Sequence, residues 1–153
     1  MRKKFINKEH RGYGMEHELE KAKKVLSEGD YTCVMVKGEQ VYTSRERGIK
    51  PLYHIVKEHA DRKGYVAADK VVGKAAAFMY VLMEVKNVYA QVISTPALEV
   101  LKAAGIEVTF EKSVEAIRNR TNTGFCPMES AVMEVQMPEE ALEVLRKKLE
   151  ECG

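Results

Sequence analysis

The sequence predicts an α/β fold of three layers, α/β/α, around a mixed, mostly parallel sheet of about five strands. Short strand-like runs alternate with helix-period segments along the chain, the pattern of parallel βαβ units in a sheet covered on both faces. One helical segment, within residues 69–84, is apolar on almost every side past its first turns, which marks a buried central element. The 153 residues are 45% hydrophobic and 31% charged. That is the length and composition of one globular domain whose core needs no metal or disulfide staple.

In chain order, Glu16 to Ser27 reads as a helix, with Leu19, Ala22, Lys23 and Leu26 on the recurring face and Gly29 as its stop. Tyr31 to Val36 is a β-branched strand, Lys37 to Gln40 a turn, and Val41 to Thr43 the returning strand of a hairpin. Ser44 to Lys50 is a polar loop punctuated by Gly48. Pro51 suits the start of a helix to His59, with Leu52, Ile55 and Val56 on one side. Gly64 to Ala68 is a short strand running directly into the apolar helix, Asp69 to Glu84. Val88 to Ile93 is the next strand, Pro96 to Ala104 a helix closed by Gly105, and Ile106 to Phe110 a further strand. Val114 to Asn119 reads as a short helix, Thr121 to Pro127 as a loop, and Glu139 to Glu150 as an amphipathic closing helix with Leu142, Leu145 and Leu149 inward.

Charge and cysteine usage narrow the partners. The net charge of +2 conceals a basic arm: Arg2, Lys3, Lys4, Lys8 and Arg11 stand against Glu9 alone. Such an arm suits nucleic acid or anionic lipid, but a leader ahead of Met15 is the preferred reading, since Met15 stands just before the first helical pattern. Residues 1–14 are therefore expected as a flexible basic leader and 15–153 as one domain. The body has no excess of positive charge, so nucleic acid is not an expected partner. No apolar run approaches the ~20 residues needed to span a bilayer, so neither is a membrane. Cys33, Cys126 and Cys152 are an odd number at wide spacing without CxxC, which fits a reducing cytoplasm. Oligomeric state is left open, a homo-oligomer included.

Several chemistries lack their residues. His54 and His59 are five apart and fall on different helix faces, and no Cys/His cluster has metal-ligand spacing. No metal or cofactor is expected. The stretch Ala68 to Ala75 imitates a phosphate-binding loop but lacks the first glycine, stiffens its cradle with Val71-Val72, and offers Ala75 where a hydroxyl should meet Mg²⁺.

What remains is a set of candidate positions. Lys70 and Lys74, four apart, are expected on one face near the positive end of the buried helix, where they repel each other and oppose the macrodipole unless an anion binds there. Asp69 would cap that helix and orient Lys70; the alternative is a plain cap with both lysines snorkelling into water. Pro127 at a first helical position makes Cys126 an N-cap and Glu129 the third residue, a capping-box layout with a thiol in place of a hydroxyl. A thiol there has thiolate character if accessible, and is a structural cysteine otherwise. Cys33, inside a strand, reads as core. Ser94 and Thr95 precede Pro96 at a helix start that would line the crevice of an open parallel sheet. Ser44, Arg45 and Arg47 with Gly48 form a loop able to close over an anion.

The strings Tyr31-Thr32-Cys33-Val34, Arg47-Gly48-Ile49-Lys50-Pro51-Leu52, Ala68-Asp69-Lys70-Val71-Val72-Gly73-Lys74 and Gly124-Phe125-Cys126-Pro127-Met128-Glu129 together resemble the bacterial and archaeal DUF1893 family over about residues 16–150. The order of elements is similar to the cytidine deaminase-like fold. That resemblance implies a zinc site built from HxE and PCxxC motifs at two helix starts. Here those regions read Ala67-Ala68-Asp69-Lys70 and Pro96-Ala97-Leu98-Glu99-Val100, without the histidine or the cysteines. Zinc-dependent hydrolytic deamination is therefore not expected.

The expected function is a zinc-less deaminase-like domain that binds a small anionic, nucleotide-like molecule at the converging starts of the Asp69 and Thr95 helices. Lys70, Lys74 and Arg47 would supply charge, Asp69 orientation, and Ser94 with Thr95 hydrogen bonds. The alternative is an enzyme with Cys126 as nucleophile or sulfur/acyl carrier and Asp69 or Lys70 as its acid–base partner.

Overall fold

The computed structural model of the chain describes residues 17–118, 124 and 126–152; the expected leader, most of the Thr121–Pro127 loop and the Cys152 side chain lie outside what it describes. Residues 17–28 form helix α1. They are followed by strands β1 (Cys33–Lys37) and β2 (Gln40–Ser44), helix α2 (Lys50–Lys57), strand β3 (Val66–Val72) and helix α3 (Lys74–Met83). Strand β4 (Asn87–Ser94), helix α4 (Thr95–Ala103), strand β5 (Glu107–Val114), and helices α5 (Pro127–Ala131) and α6 (Pro138–Cys152) complete the chain.

The five strands make one mixed sheet in the order β2-β1-β3-β4-β5. β1 is antiparallel to both β2 and β3, while β3, β4 and β5 run parallel through the crossovers α3 and α4. Those two crossovers advance in the same direction across the sheet. With the right-handedness imposed on βαβ units, both helices must land on one face. There α2, α3, α4 and α6 share a core with Met35, Ala67, Val88 and Ala90 of the strands. The opposite face is covered by α1, whose Ala22 and Leu26 pack on Val34, Val36, Val66, Ala68 and Tyr89. Three layers result, of unequal weight. Among the described residues no helix is long and apolar enough to cross a membrane.

Two expectations need correcting. The helix expected to begin at Asp69 begins at Lys74, because β3 runs on to Val72. The β-branched pair Val71-Val72 pairs with Val92 and Ile93 of β4, and Asp69 sits between Cys33 of β1 and Ala90 of β4. A central strand with partners on both sides outweighs the helical look of Asp69-Lys70. Likewise Val114 belongs to β5, and no helix follows it over 115–118.

The end of β3 is irregular in a way that matters. Ala67 and Val72 lie in the same apolar cluster although an odd number of residues apart, and Val71 between them is exposed. Strict alternation would put the two on opposite faces. The pleat therefore slips between Asp69 and Val72, where the strand borders a cavity.

Candidate functional site

A cavity of about 770 Å³ opens at the carboxyl end of β3. It is bounded by β1 and β2, the loop 44–49, the start of α2, residues 69–73, the first turn of α3, and residues 117–118 and 126–129. Ile49, Leu52, Ala75, Ala76, Ile117 and Met128 make its walls mainly apolar. Arg47, Lys70 and Arg118 contribute cationic residues to the lining, and Asp69, Glu46 and Glu129 carboxylates.

Asp69 is the most deeply set of these acids, with 8% of its surface exposed. It faces α3, and the Tyr80 hydroxyl donates to its Oδ2 at 2.6 Å. The Val71 backbone N–H donates to Oδ1 at 3.2 Å. Cys33 Sγ lies 3.1 Å from the Tyr80 oxygen; with the tyrosine proton committed to Asp69, the thiol is the donor of that pair. The chain of hydrogen bonds thus runs from thiol to phenol to carboxylate. Burial lifts the Asp69 carboxyl to about 6, against the Tyr80 and backbone hydrogen bonds that pull it down. Burial, with the Asp69 charge beside them, pushes both Cys33 and Tyr80 well above their ordinary ranges. Asp69 is therefore the group of the three that titrates near neutrality.

The start of α3 is already occupied by an anion, and the anion is internal. Glu129 Oε1 accepts from the Lys74 N–H at 2.6 Å and Oε2 from the Ala75 N–H at 2.9 Å. Gly73 holds the N-cap position in extended conformation, and a Cβ there would collide with the Glu129 carboxyl. Its missing side chain is what lets the carboxylate reach the helix tip. Burial raises the Glu129 carboxyl, while the two helix N–H groups and the Lys74 charge pull it back. Cys126 is the N-cap of α5 with Pro127 in the first turn, as the sequence predicts, but its thiol makes no capping bond. The capping-box glutamate serves a different helix.

The sequence-derived set divides accordingly. Asp69, Lys70, Arg47 and Cys126 all line the cavity. Lys74, Ser94 and Thr95 do not. The Lys74 ammonium donates to the Met133 carbonyl at 2.8 Å and stands over the Phe78 ring. Lys70 and Lys74 do not share a helix face, since one is in β3 and the other opens α3. Nor does Asp69 cap a helix. Ser94 caps α4 by accepting from the Ala97 N–H at 3.2 Å, and Thr95 Oγ1 donates to the Val114 carbonyl at 3.3 Å. Of the two helix starts expected to converge, that of α3 is filled from within by Glu129, and that of α4 is not part of the cavity lining.

Sequence reasoning passed over Tyr80, Glu129 as the cap of α3, Arg118 and Tyr42, and read Cys33 as core alone although it also borders the cavity. Tyr80 had a signal. A tyrosine inside an otherwise apolar helix needs a partner for its hydroxyl. The helix starts read Gly73-Lys74-Ala75 and Ser94-Thr95-Pro96-Ala97, and among the described residues no group of three or more His, Cys, Asp or Glu is placed to hold a metal ion. The donor set for a deaminase zinc does not fit, and no step is routed through one.

Residues 21–149 match the family model described as a domain of unknown function, DUF1893. The fold is similar to the crystal structure of a DUF1893 family protein from Thermotoga maritima, with a TM-score of 0.80 at 28% identity, covering 86% of this chain and 90% of that one. It is more distantly similar to dCMP deaminase from the cyanophage S-TIM5, with a TM-score of 0.40 at 16% identity over 65% of this chain and 95% of that one. No curated protein matches the chain.

Proposed function

Since this chain belongs to the DUF1893 family, described only as a domain of unknown function, we propose its function from the cavity: it binds a small molecule bearing an anionic group. The observation that carries this reading is the grouping of Arg47, Lys70 and Arg118 around a volume of about 770 Å³ whose remaining walls are mainly apolar apart from the carboxylates of Glu46, Asp69 and Glu129, the last of which is taken up by the α3 N–H groups. A cavity of that size suits a nucleotide-sized ligand. Apolar walls take its body by burial, and the cations take its charge where water is partly excluded and Coulomb attraction is stronger than in bulk. The α3 tip plays no direct part, because Glu129 satisfies it.

The test is a thermal-shift panel of nucleoside monophosphates, sugar phosphates and acyl-CoA esters. A binder at about a hundredfold excess over Kd stabilises by about 2.7 kcal/mol. The response should shrink in Arg47→Ala and Lys70→Ala and persist in Lys74→Ala. Equal responses in all three variants would refute the assignment.

A second reading, chemistry at Cys126, is favoured by one observation: its half-buried thiol and the Asp69 carboxylate border the same cavity. In that reading Asp69 accepts the Cys126 thiol proton, and the sulfur bonds to an acyl carbon of the bound molecule as that carbon's leaving group departs with its bonding electron pair. Alkylation by iodoacetamide separates the two within the same panel. A nucleophile labels rapidly at neutral pH and is shielded by the stabilising ligand, whereas slow labelling leaves binding alone.

A further inference from the structure

Asp69 poses a problem that an anion at the rim does not solve. It is buried, and among the described residues no cation stands within ion-pair distance of it. Leaving a buried carboxylate without a counter-charge is unfavourable, and folded chains normally pair or replace such a group. Tyr80 donates to Oδ2 and the Val71 N–H to Oδ1, and the Lys70 N–H, which bonds the Thr32 carbonyl, adds a backbone contact. A carboxylate offers about four acceptor sites, so both oxygens can take a further donor. Asp69 is also part of the cavity lining. The Cys33–Tyr80 pair behind it holds the phenolic proton toward Oδ2, so the carboxylate is kept as an acceptor.

We propose that Asp69 reads a cationic nitrogen head group with two adjacent N–H donors, a protonated amidine or guanidine, so that the cavity's ligand has an N–H head on Asp69 and an anion on the rim cations. The match is one of geometry as well as charge: two acceptor oxygens side by side pair with two parallel N–H donors, the strong bidentate arrangement. The apolar walls of Ile49, Leu52 and Met128 suit the flat body between the two ends. The anionic half of this description rests on the function proposed above; the Asp69 half does not, and the two separate experimentally.

The experiment titrates the ¹⁵N-labelled full chain with benzamidine, benzamide and benzoate, following backbone amide shifts. Benzamidine should move the amide of Val71, which is bonded to Asp69, more than neutral benzamide does. Its affinity should fall about tenfold or more in Asp69→Asn, the loss of a charge-assisted pair. Benzoate should instead respond to Arg47→Ala. Equal benzamidine affinity in wild type and Asp69→Asn overturns the head-group assignment, as does wild-type binding no better than that of benzamide, a comparison needing no variant. In either case a benzoate response that depends on Arg47 leaves the rim reading intact. If neither charged probe shifts a cavity amide, both assignments fall.

Discussion

A carboxyl group at 8% exposure with no cation beside it among the described residues weakens the fold whenever it carries charge. For Asp69 the sign follows from its shift, from an ordinary 3.8 to about 6 through burial. Between those values the folded chain holds a proton that the unfolded chain has released, so stability declines as pH rises through that window. The full penalty is present above about 6, and none remains below about 3.8. Asp69→Asn keeps the shape and removes the charge. It should therefore melt above the wild type at neutral and alkaline pH, by on the order of 2 kcal/mol or about 5 °C for a chain of this size. Calorimetric scans from acid to alkaline pH should show the difference vanish near the acid end; a difference independent of pH would mean that charge is not its source. At this scale the sequence is informative where a residue's chemistry conflicts with its neighbours. Asp69 and Cys126 stand out in apolar or helix-start settings, whereas Tyr80 passes as one more large side chain in an apolar helix until Asp69 is seen opposite it.

Elements are where local signals compete. Asp69-Lys70 looks like the first turn of a helix, and nothing nearby forbids it. The decision came from β1, which pairs with residues 66–69, and β4, which pairs with 66–69 and on through Val71 and Val72; both are distant in sequence. The expectation that an anion quiets the start of the buried helix holds in its physics, since a carboxylate sits on two free N–H groups there. Its source, Glu129, lies 55 residues from Lys74, and one sequence offers no clue to that pairing. The Gly73–Glu129 contact makes a sharp prediction because the two residues act as a unit. Gly73→Ala pushes the carboxylate off the helix tip, and Glu129→Ala removes it; each should cost about 2 kcal/mol. The double variant should cost little more than either alone. Denaturant unfolding of the four proteins gives the coupling, and strictly additive losses would show that Gly73 serves some other purpose.

For the molecule as a whole, topology was legible where the chain alternates strand and helix: β3-α3-β4-α4-β5 is two successive crossovers, and the parallel run follows. What alternation could not reveal is the imbalance of the two faces. Handedness sends both crossover helices to one side, where α2 and α6 join them, and leaves α1, among the described helices, alone on the other. One helix on one face makes a smaller cooperative unit than four packed together, and its opening exposes less apolar surface. Besides its apolar side chains and Lys23 over the Tyr89 ring, α1 is tied down by Glu18. Its carboxylate accepts from the Gly38 N–H in the hairpin turn at 2.6 Å and pairs with Lys86 at 2.9 Å, just before β4. These contacts bridge α1 to two places in the layer beneath. Native-state hydrogen exchange should therefore find α1 amides opening well below the global unfolding free energy, and α3 amides only with it. Glu18→Ala should lower α1 protection further, by about 1 kcal/mol, and leave α3 opening tied to the global value. Because the cavity is built from β1, β2, β3, α2, α3 and the 117–129 region, none of it α1, a cavity ligand should slow exchange at Val71, Ala75 and Ala76 without protecting α1. If α1 and α3 exchange as a single unit under ligand, the layers are coupled more tightly than their packing implies.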